Sequence, residues 1–444
     1  MGRRSHTQRL TIWLNGTPVG YWETSAGKAT LTYFSDWLND ENTRPLSLSL
    51  PFTPNNEPHR GLVVQNYFDN LLPDSDTIRR RIALHFNTGG TEPHQLLAAI
   101  GRDCVGAIQL LPEDTQPADL FEIQGHVLSE KQIAEILRNT TSDQPLGQHT
   151  DEVDLRISIA GAQEKCALLL HENVWKRPIG STPTTHIFKL PLGLVGAMQA
   201  DMRTSVENEW LCSRIMQAFE LPIAHCEIAH FEDVKTLIVE RFDRRYSDDR
   251  SWIVRLPQED FCQVKGISPL KKYQSDGGPG ITEIMNILLG SSTAAVDRYN
   301  FFKTQIIFWL LAATDGHAKN FSIFLQPGSK FQATPLYDVL SAHPIIGTAA
   351  SKIALQRLKL AMSVRGSTNY YNIQQIQRRH WLNHARSTGI AETTAESIIE
   401  EILVKSEKVI ESVAEQIPTG FPQDIADSIF SGLLEQCTRL KSMA

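Results

Sequence analysis

A carboxylate at Asp315, an amide five residues later at Asn320 and a second carboxylate at Asp338 have the types and the order needed for phosphoryl transfer. In a catalytic loop of the form Asp-x-x-x-x-Asn, the carboxylate accepts the proton of an attacking hydroxyl and the amide holds Mg²⁺. A later Asp holds the metal that bridges the phosphates. Taken alone, the pattern is also that of an ordinary Asp-Gly turn between a helix and a strand. Its surroundings argue for the chemistry.

Before the loop, Phe302, Ile306, Trp309, Leu310 and Ala313 recur at helical spacing, which predicts a buried helix ending there. After it, residues 321–325, the Pro-Gly segment 326–330 and residues 331–334 read as a strand, a turn and a returning strand. A hairpin in register returns Leu336 to the neighbourhood of Asn320, and so sets Tyr337 and Asp338 beside the amide.

Upstream, Ala160, Gly161, Ala162, Gln163, Glu164 and Lys165 form a small-residue turn running into the apolar stretch 166–170. Such a turn lets backbone N–H groups approach phosphate oxygens, although it lacks Walker A spacing and also fits a plain hairpin turn. Lys189 sits on a strand-like segment, 185–191, ahead of an acidic helix carrying Glu207 and Glu209. That is the setting in which a strand lysine neutralises ATP phosphates and pairs with a helix glutamate. The apolar run 236–242 ends at Glu240, Arg241 and Phe242, where main-chain groups could read an adenine. The glycine-rich stretch 275–280 invites a phosphate-loop reading or that of a flexible connection.

The remainder is scaffold. Residues 10–26 alternate around Asn15-Gly16, a strong hairpin signal. Residues 46–52 (LSLSLPF) read as another strand stopped by proline. Residues 66–84 turn helical, Ser129 opens a further helix, and the polar stretch 139–148 is expected to link domains. Beyond Asp338 the chain is expected to be mainly helical, with amphipathic spacing over 395–414 and 426–440.

With 444 residues, 41% hydrophobic and 21% charged, the chain is long enough for two or three folded domains. No apolar run reaches membrane-spanning length and the start lacks a leader-like segment, so no membrane association and a cytoplasmic location are expected. Six cysteines without a C-x-x-C pair suggest buried thiols rather than a zinc site or disulfides. A net charge of −7 argues against the whole chain being a self-sufficient nucleic-acid binder. The basic clusters 79–81 and 378–386 remain as local candidates or solvated helix faces.

Taken in series, Ser158-Ile-Ala-Gly-Ala-Gln-Glu-Lys165, His186-Ile-Phe-Lys-Leu-Pro191, Val239-Glu-Arg-Phe-Asp-Arg-Arg245, Arg255-Leu-Pro-Gln-Glu-Asp260, the stretch 275–280, the loop 314–320 and Tyr337-Asp338 resemble the HipA family of bacterial toxin kinases. The resemblance implies an α+β, two-lobed, phosphatidylinositol-kinase-like and protein-kinase-like fold. Its expected parts are a β-rich N-terminal subdomain with helices (1–145), a nucleotide-binding β lobe (146–245) and a mainly helical catalytic lobe (246–444). It implies a serine/threonine protein kinase toxin using ATP and Mg²⁺, which phosphorylates glutamyl-tRNA synthetase and so causes growth arrest and persistence.

Carried over, Asp315 resembles the catalytic base, Asn320 and Asp338 the Mg²⁺ ligands, Lys189 the phosphate-pairing lysine and residues 160–165 the phosphate loop. Glu240, Arg241 and Phe242 match the adenine-reading segment, and His317, Ala318, Lys319 and Tyr337 line the nucleotide site. Ser158 resembles the family's autophosphorylated serine, whose added charge would repel ATP phosphates and expel the loop. A HipB-like helix-turn-helix antitoxin dimer and, through it, operator DNA are the implied partners, with Arg379 and Arg386 as candidate DNA contacts. Thr314 stands where protein kinases carry Arg, so an activation-loop phosphate is not expected to be read as it is there. A small-molecule kinase and a non-catalytic ATP-sensing co-repressor are the alternative readings.

Overall fold

The computed structural model describes residues 8–140, 163–195, 199–349 and 351–443, and is a mixed α+β protein, β-rich at its N-terminal end and helical towards its C-terminus. Two compact units are each assembled from three stretches of chain. The first takes Met1–Leu190, Ala229–Leu270 and Ser322–Phe331; the second takes Pro191–Ile228, Lys271–Phe321 and Gln332–Ala444.

In the first unit, Asn15 and Gly16 adopt φ of 46° and 85°, the left-handed pair that a tight hairpin turn requires. They join Gln8–Leu14 to Thr17–Ser25 in a five-stranded antiparallel sheet completed by Lys28–Tyr33, His59–Arg60 and Ile108–Pro112. Its apolar face, including Trp22 stacked on Phe68 at 4.0 Å, is buried under the helices Leu62–Asp69 and Pro93–Ile100.

The strand expected over residues 46–52 does not form. The Ser47 and Ser49 hydroxyls bond to Gln263 O, and Ser49 N–H donates to Ser47 Oγ, so side chains compete for the backbone groups a ladder would use.

A second, six-stranded sheet in this unit has the order Cys226–Phe231, Val234–Glu240, His186–Lys189, Lys165–His171, Val174–Pro178 and Gly125–Val127. The helix Glu130–Thr140 packs Ile133, Ala134 and Leu137 against it. Ser129 and Gln132 cap that helix reciprocally, as the sequence predicts. Asn139 and Thr140 belong to the helix rather than to a linker, and residues 141–148 lie outside the described residues.

The second unit is mainly helical, with Ser205–Ala218, Ala294–Leu310, Arg378–Ser387, Glu392–Ala414 and Gln423–Ser442 as its main helices. Ala294–Leu310 is buried from Phe301 to its end, which follows from apolar residues on all of its faces there. A short β-hairpin, Lys359–Arg365 with Asn369–Asn372, interrupts the helical part; the mainly helical expectation overlooked it. All six cysteines are buried thiols. Among the described residues no helix is long and apolar enough to cross a membrane.

Candidate active site

In the second unit, the helix Ala294–Leu310 stops where Ala312 turns left-handed at φ 48° and Ala313 N–H bonds back to Phe308 O at 2.8 Å. The loop that follows is tightly folded. His317 N–H reaches Asp315 O at 2.7 Å, Asn320 N–H reaches His317 O at 2.9 Å, and Asn320 Nδ2 donates to Asp315 O at 2.8 Å. A Cβ on Gly316 would stand 2.5 Å from the Phe308 ring, so only glycine fits at this close approach. His317, Lys319 and Asn320 are buried, whereas the Asp315 side chain keeps 53% of its surface exposed. The loop thus presents one carboxylate outward from a buried frame.

The chain leaves this unit after Phe321, forms the expected strand-turn-strand hairpin (Ser322–Gln326 and Lys330–Ala333) and returns at Gln332. On its return, Leu336 bridges to Ile223 and the Tyr337 hydroxyl donates to Lys319 O at 2.8 Å. That bond anchors Tyr337, and with it the adjacent Asp338, to the segment carrying Asn320. Asp338 has φ 62°, a left-handed conformation that a non-glycine residue adopts at a cost and that clusters at functional sites. Asp315, His317, Ala318, Lys319, Asn320, Tyr337 and Asp338 are therefore gathered in one locality.

The residue that sequence reasoning missed here is Tyr273. Its hydroxyl donates to Asp315 Oδ1, its ring meets His317 edge-on at 5.0 Å, and Ala318 N–H bonds to Lys272 O at 3.2 Å. The glycine-rich stretch after it is neither a phosphate loop nor a loose connection. Asp276 and Gly278 N–H both bond to Tyr273 O and Gly277 N–H bonds to Gln274 O, so donors that a phosphate would need are spent inside the turn. A Cβ on Gly278 would lie 2.2 Å from Lys271 O, which explains the glycine there.

In the first unit, Lys165 and Lys189 are register partners on neighbouring antiparallel strands, 9% and 6% exposed. Residues opposite each other in a ladder project from the same face, so the two lysine side chains leave one side of the sheet. Leu190 N–H bonds to Glu164 O at 3.3 Å and the Gln163 side-chain amide donates to Leu190 O, joining the end of the expected phosphate loop to the lysine strand. Glu164 is paired with Arg81, which also donates to Thr140 O at 3.0 Å. Ser158, Ala160, Gly161 and Ala162 lie outside the described residues.

Glu240 is the exposed last residue of Val234–Glu240, opposite His186, and Phe242 is half-buried with its ring edge-on to Phe324 at 5.8 Å. Arg241 serves the scaffold instead. Its guanidinium bonds to Thr184, Cys104 O and Asp243, its N–H bonds to Thr185 O at 2.9 Å, and its carbonyl accepts from Arg244 N at 3.2 Å. With Asp103, Arg244 and Arg255 it forms a buried ion cluster. Burial alone would raise the Asp243 carboxyl, but Arg241 and Arg244 hold it below the usual carboxylate range.

Glu207 and Glu209 are buried on Ser205–Ala218 in the second unit. Of the basic clusters, Arg79 pairs with Asp69 at 2.7 Å, Arg378 with Glu396 and Glu400, and Arg386 with Glu392 at 2.8 Å, while Arg379 is exposed. Acidic partners at Arg79, Arg378 and Arg386 weaken the attraction these positions would offer to phosphates.

Residues 157–410 match the HipA-like C-terminal domain, and residues 10–111 match the HipA N-terminal domain. A Sinorhizobium fredii protein named "Putative kinase Y4mE" is 33% identical over 413 residues, covering 91% of this chain and 94% of the relative. The serine/threonine-protein kinase toxin HipA of Shewanella oneidensis is 26% identical over 349 residues, covering 76% of this chain and 75% of the relative. Among solved structures, a chain of the complex of HipA, HipB and operator DNA from Shewanella oneidensis MR-1 shares the fold, with a TM-score of 0.78 over 98% of both chains at 20% identity.

Proposed function

The chain belongs to the HipA family, and on that premise we propose that it is an ATP-dependent serine/threonine protein kinase. The observation that carries this reading is the loop around Asp315, where Asn320 Nδ2 spends its donor on Asp315 O while the carboxylate stays open to solvent. Asp315 accepts the proton of the substrate hydroxyl as that oxygen forms its bond to the γ-phosphorus and the bond from phosphorus to the ADP oxygen breaks. General-base help of this kind supplies roughly 10²–10⁴-fold, and positioning supplies the larger share.

With its NH₂ group engaged, the Asn320 amide offers an oxygen, and Asp338 offers a carboxylate from the segment anchored through Tyr337. Two hard oxygen donors of this type fit Mg²⁺, which takes few protein ligands beside phosphate and water. When bound, the metal neutralises charge on the transferring phosphates. Lys165 and Lys189 are assigned to the triphosphate with loop residues 160–164, Glu240 and Phe242 to main-chain contacts with the adenine, and Arg241 lies between them in the same segment with its guanidinium bonded to Asp243, Thr184 and Cys104 O. His317, Ala318, Lys319 and Tyr337 frame the nucleotide.

The finer reading follows the family. The three parts are 1–145, 146–245 and 246–444, and the protein works in the cytoplasm on a translation protein, glutamyl-tRNA synthetase. Autophosphorylation of Ser158 switches it off, and a HipB-like antitoxin dimer holds it on operator DNA as a co-repressor. The names of the two relatives support a kinase, one of them a serine/threonine-protein kinase toxin, and the complex of HipA, HipB and operator DNA supports the antitoxin and DNA partners. Arg379, exposed on its helix, is a better DNA-contact candidate than the paired Arg386.

The test is transfer of labelled γ-phosphate from Mg-ATP to glutamyl-tRNA synthetase and to the chain itself, with small hydroxyl acceptors in parallel. Asp315→Ala is expected to abolish transfer while retaining ATP binding. Transfer that survives the substitution removes Asp315 from its role; label found only on small acceptors replaces the protein-kinase reading.

A further inference from the structure

We infer that Tyr273 is a positioning residue for Asp315, an inference that rests on the kinase reading above and assigns a role to a side chain outside the expected catalytic set. An exposed aspartate at a loop apex is free to rotate about both of its side-chain torsions, yet a general base must be held within a few tenths of an ångström of its working geometry. Something has to restrain it.

The restraint comes from one neighbouring segment through three separate contacts. The Tyr273 hydroxyl donates to Asp315 Oδ1, the Tyr273 ring sits at 89° to the His317 ring, and Lys272 O accepts from Ala318 N–H. His317 Nε2 also lies nearest Oδ1, at 3.9 Å. Both side-chain contacts therefore fall on the same oxygen, which leaves Oδ2 to take the proton of the incoming hydroxyl. A hydrogen bond from a neutral phenol to a carboxylate is charge-assisted and directional, strong enough to select one rotamer.

Tyr273 is itself held firmly. The turn after it closes on Tyr273 O through two N–H groups, Gln274 Oε1 accepts from Ser363 N–H at 2.6 Å, and a Cβ on Gly280 would stand 2.4 Å from the Gln274 side chain. The packed glycine-rich turn thus has a purpose: it sets the tyrosine that sets the base.

Tyr273→Phe keeps the ring against His317 and removes only the hydroxyl. It is expected to lower kcat about ten-fold, as loss of one orienting hydrogen bond does, with the melting temperature and the affinity for a non-hydrolysable ATP analogue unchanged. An unchanged or raised kcat in Tyr273→Phe overturns the inference, as does a loss that appears only in Tyr273→Ala together with a lower melting temperature. If the wild-type chain is active, Asp315→Ala is inactive and Tyr273→Phe behaves as wild type, only the inference falls. If the wild-type chain transfers no phosphate, the kinase reading falls and takes the inference with it.

Discussion

Lys165 and Lys189 stand directly opposite each other on antiparallel strands of one sheet, both buried. Residues so paired project from the same face of the sheet, and the kinase reading gives both side chains to one triphosphate. Lys189 carries a second anchor, since its carbonyl accepts from Thr236 Oγ1 at 2.9 Å.

Replacing Lys189 by Met tests that assignment. ATP affinity is expected to fall about 10–100-fold in a variant that still melts cooperatively, the value of one charge-assisted contact. Lys165→Met should behave alike, and the double variant should lose less than the sum because both amines serve one triphosphate. Calorimetric titration with an ATP analogue and thermal melts decide this. Unchanged affinity in both single variants would remove the pair from the nucleotide site.

Gly316→Ala tests the packing of the loop. The added Cβ would lie 2.5 Å from the Phe308 ring, and overpacking of this kind costs about 1–3 kcal/mol. Chemical denaturation should show that loss, and Phe308→Leu in the same chain should recover part of it by making room. A Gly316→Ala protein as stable as the parent would show that the loop gives way freely.

Stability should depend on pH through Glu259. Burial pushes this carboxyl up to about 8, against the lowering pull of Ser47 and of Leu48 N–H, which donates to Oε1 at 2.8 Å. Oε2 has no hydrogen-bond partner among the described residues. Because the folded value lies above the ordinary 4.5, the folded protein binds the extra proton between those limits. That contribution is complete below pH 4.5 and is lost as pH rises through 8. Glu259→Gln keeps an oxygen for Leu48 and cannot ionise, so it should be more stable than the parent at pH 9 and nearly equal to it at pH 4.5. Urea denaturation at the two values measures the difference, and a gap that widens towards acid would contradict the assignment.

Sequence by itself determined what a few adjacent residues can encode. The Asn15-Gly16 turn, the Ser129 cap, the helix ending before Asp315 and the hairpin around Gly328 at φ 71° all rest on local φ preferences, caps and periodicity. It also determined the order of Asp315, Asn320 and Asp338, and a run of motifs specific enough to indicate the family. Tertiary structure decided the rest. Residues 46–52 carry a strand's alternation, yet bonds from their serines to Gln263, more than 200 positions away, override it. The opposition of Lys165 and Lys189 is a matter of strand register, and Arg241 was claimed by carboxylates at Asp103 and Asp243 rather than by the nucleotide segment in which it is written. Tyr273 meets Asp315 across 42 positions of chain with no spacing rule to announce it. Turn, cap and period are energies of neighbours along the chain, whereas register, ion pairing and the aim of a catalytic carboxylate depend on which distant groups packing brings within hydrogen-bonding reach.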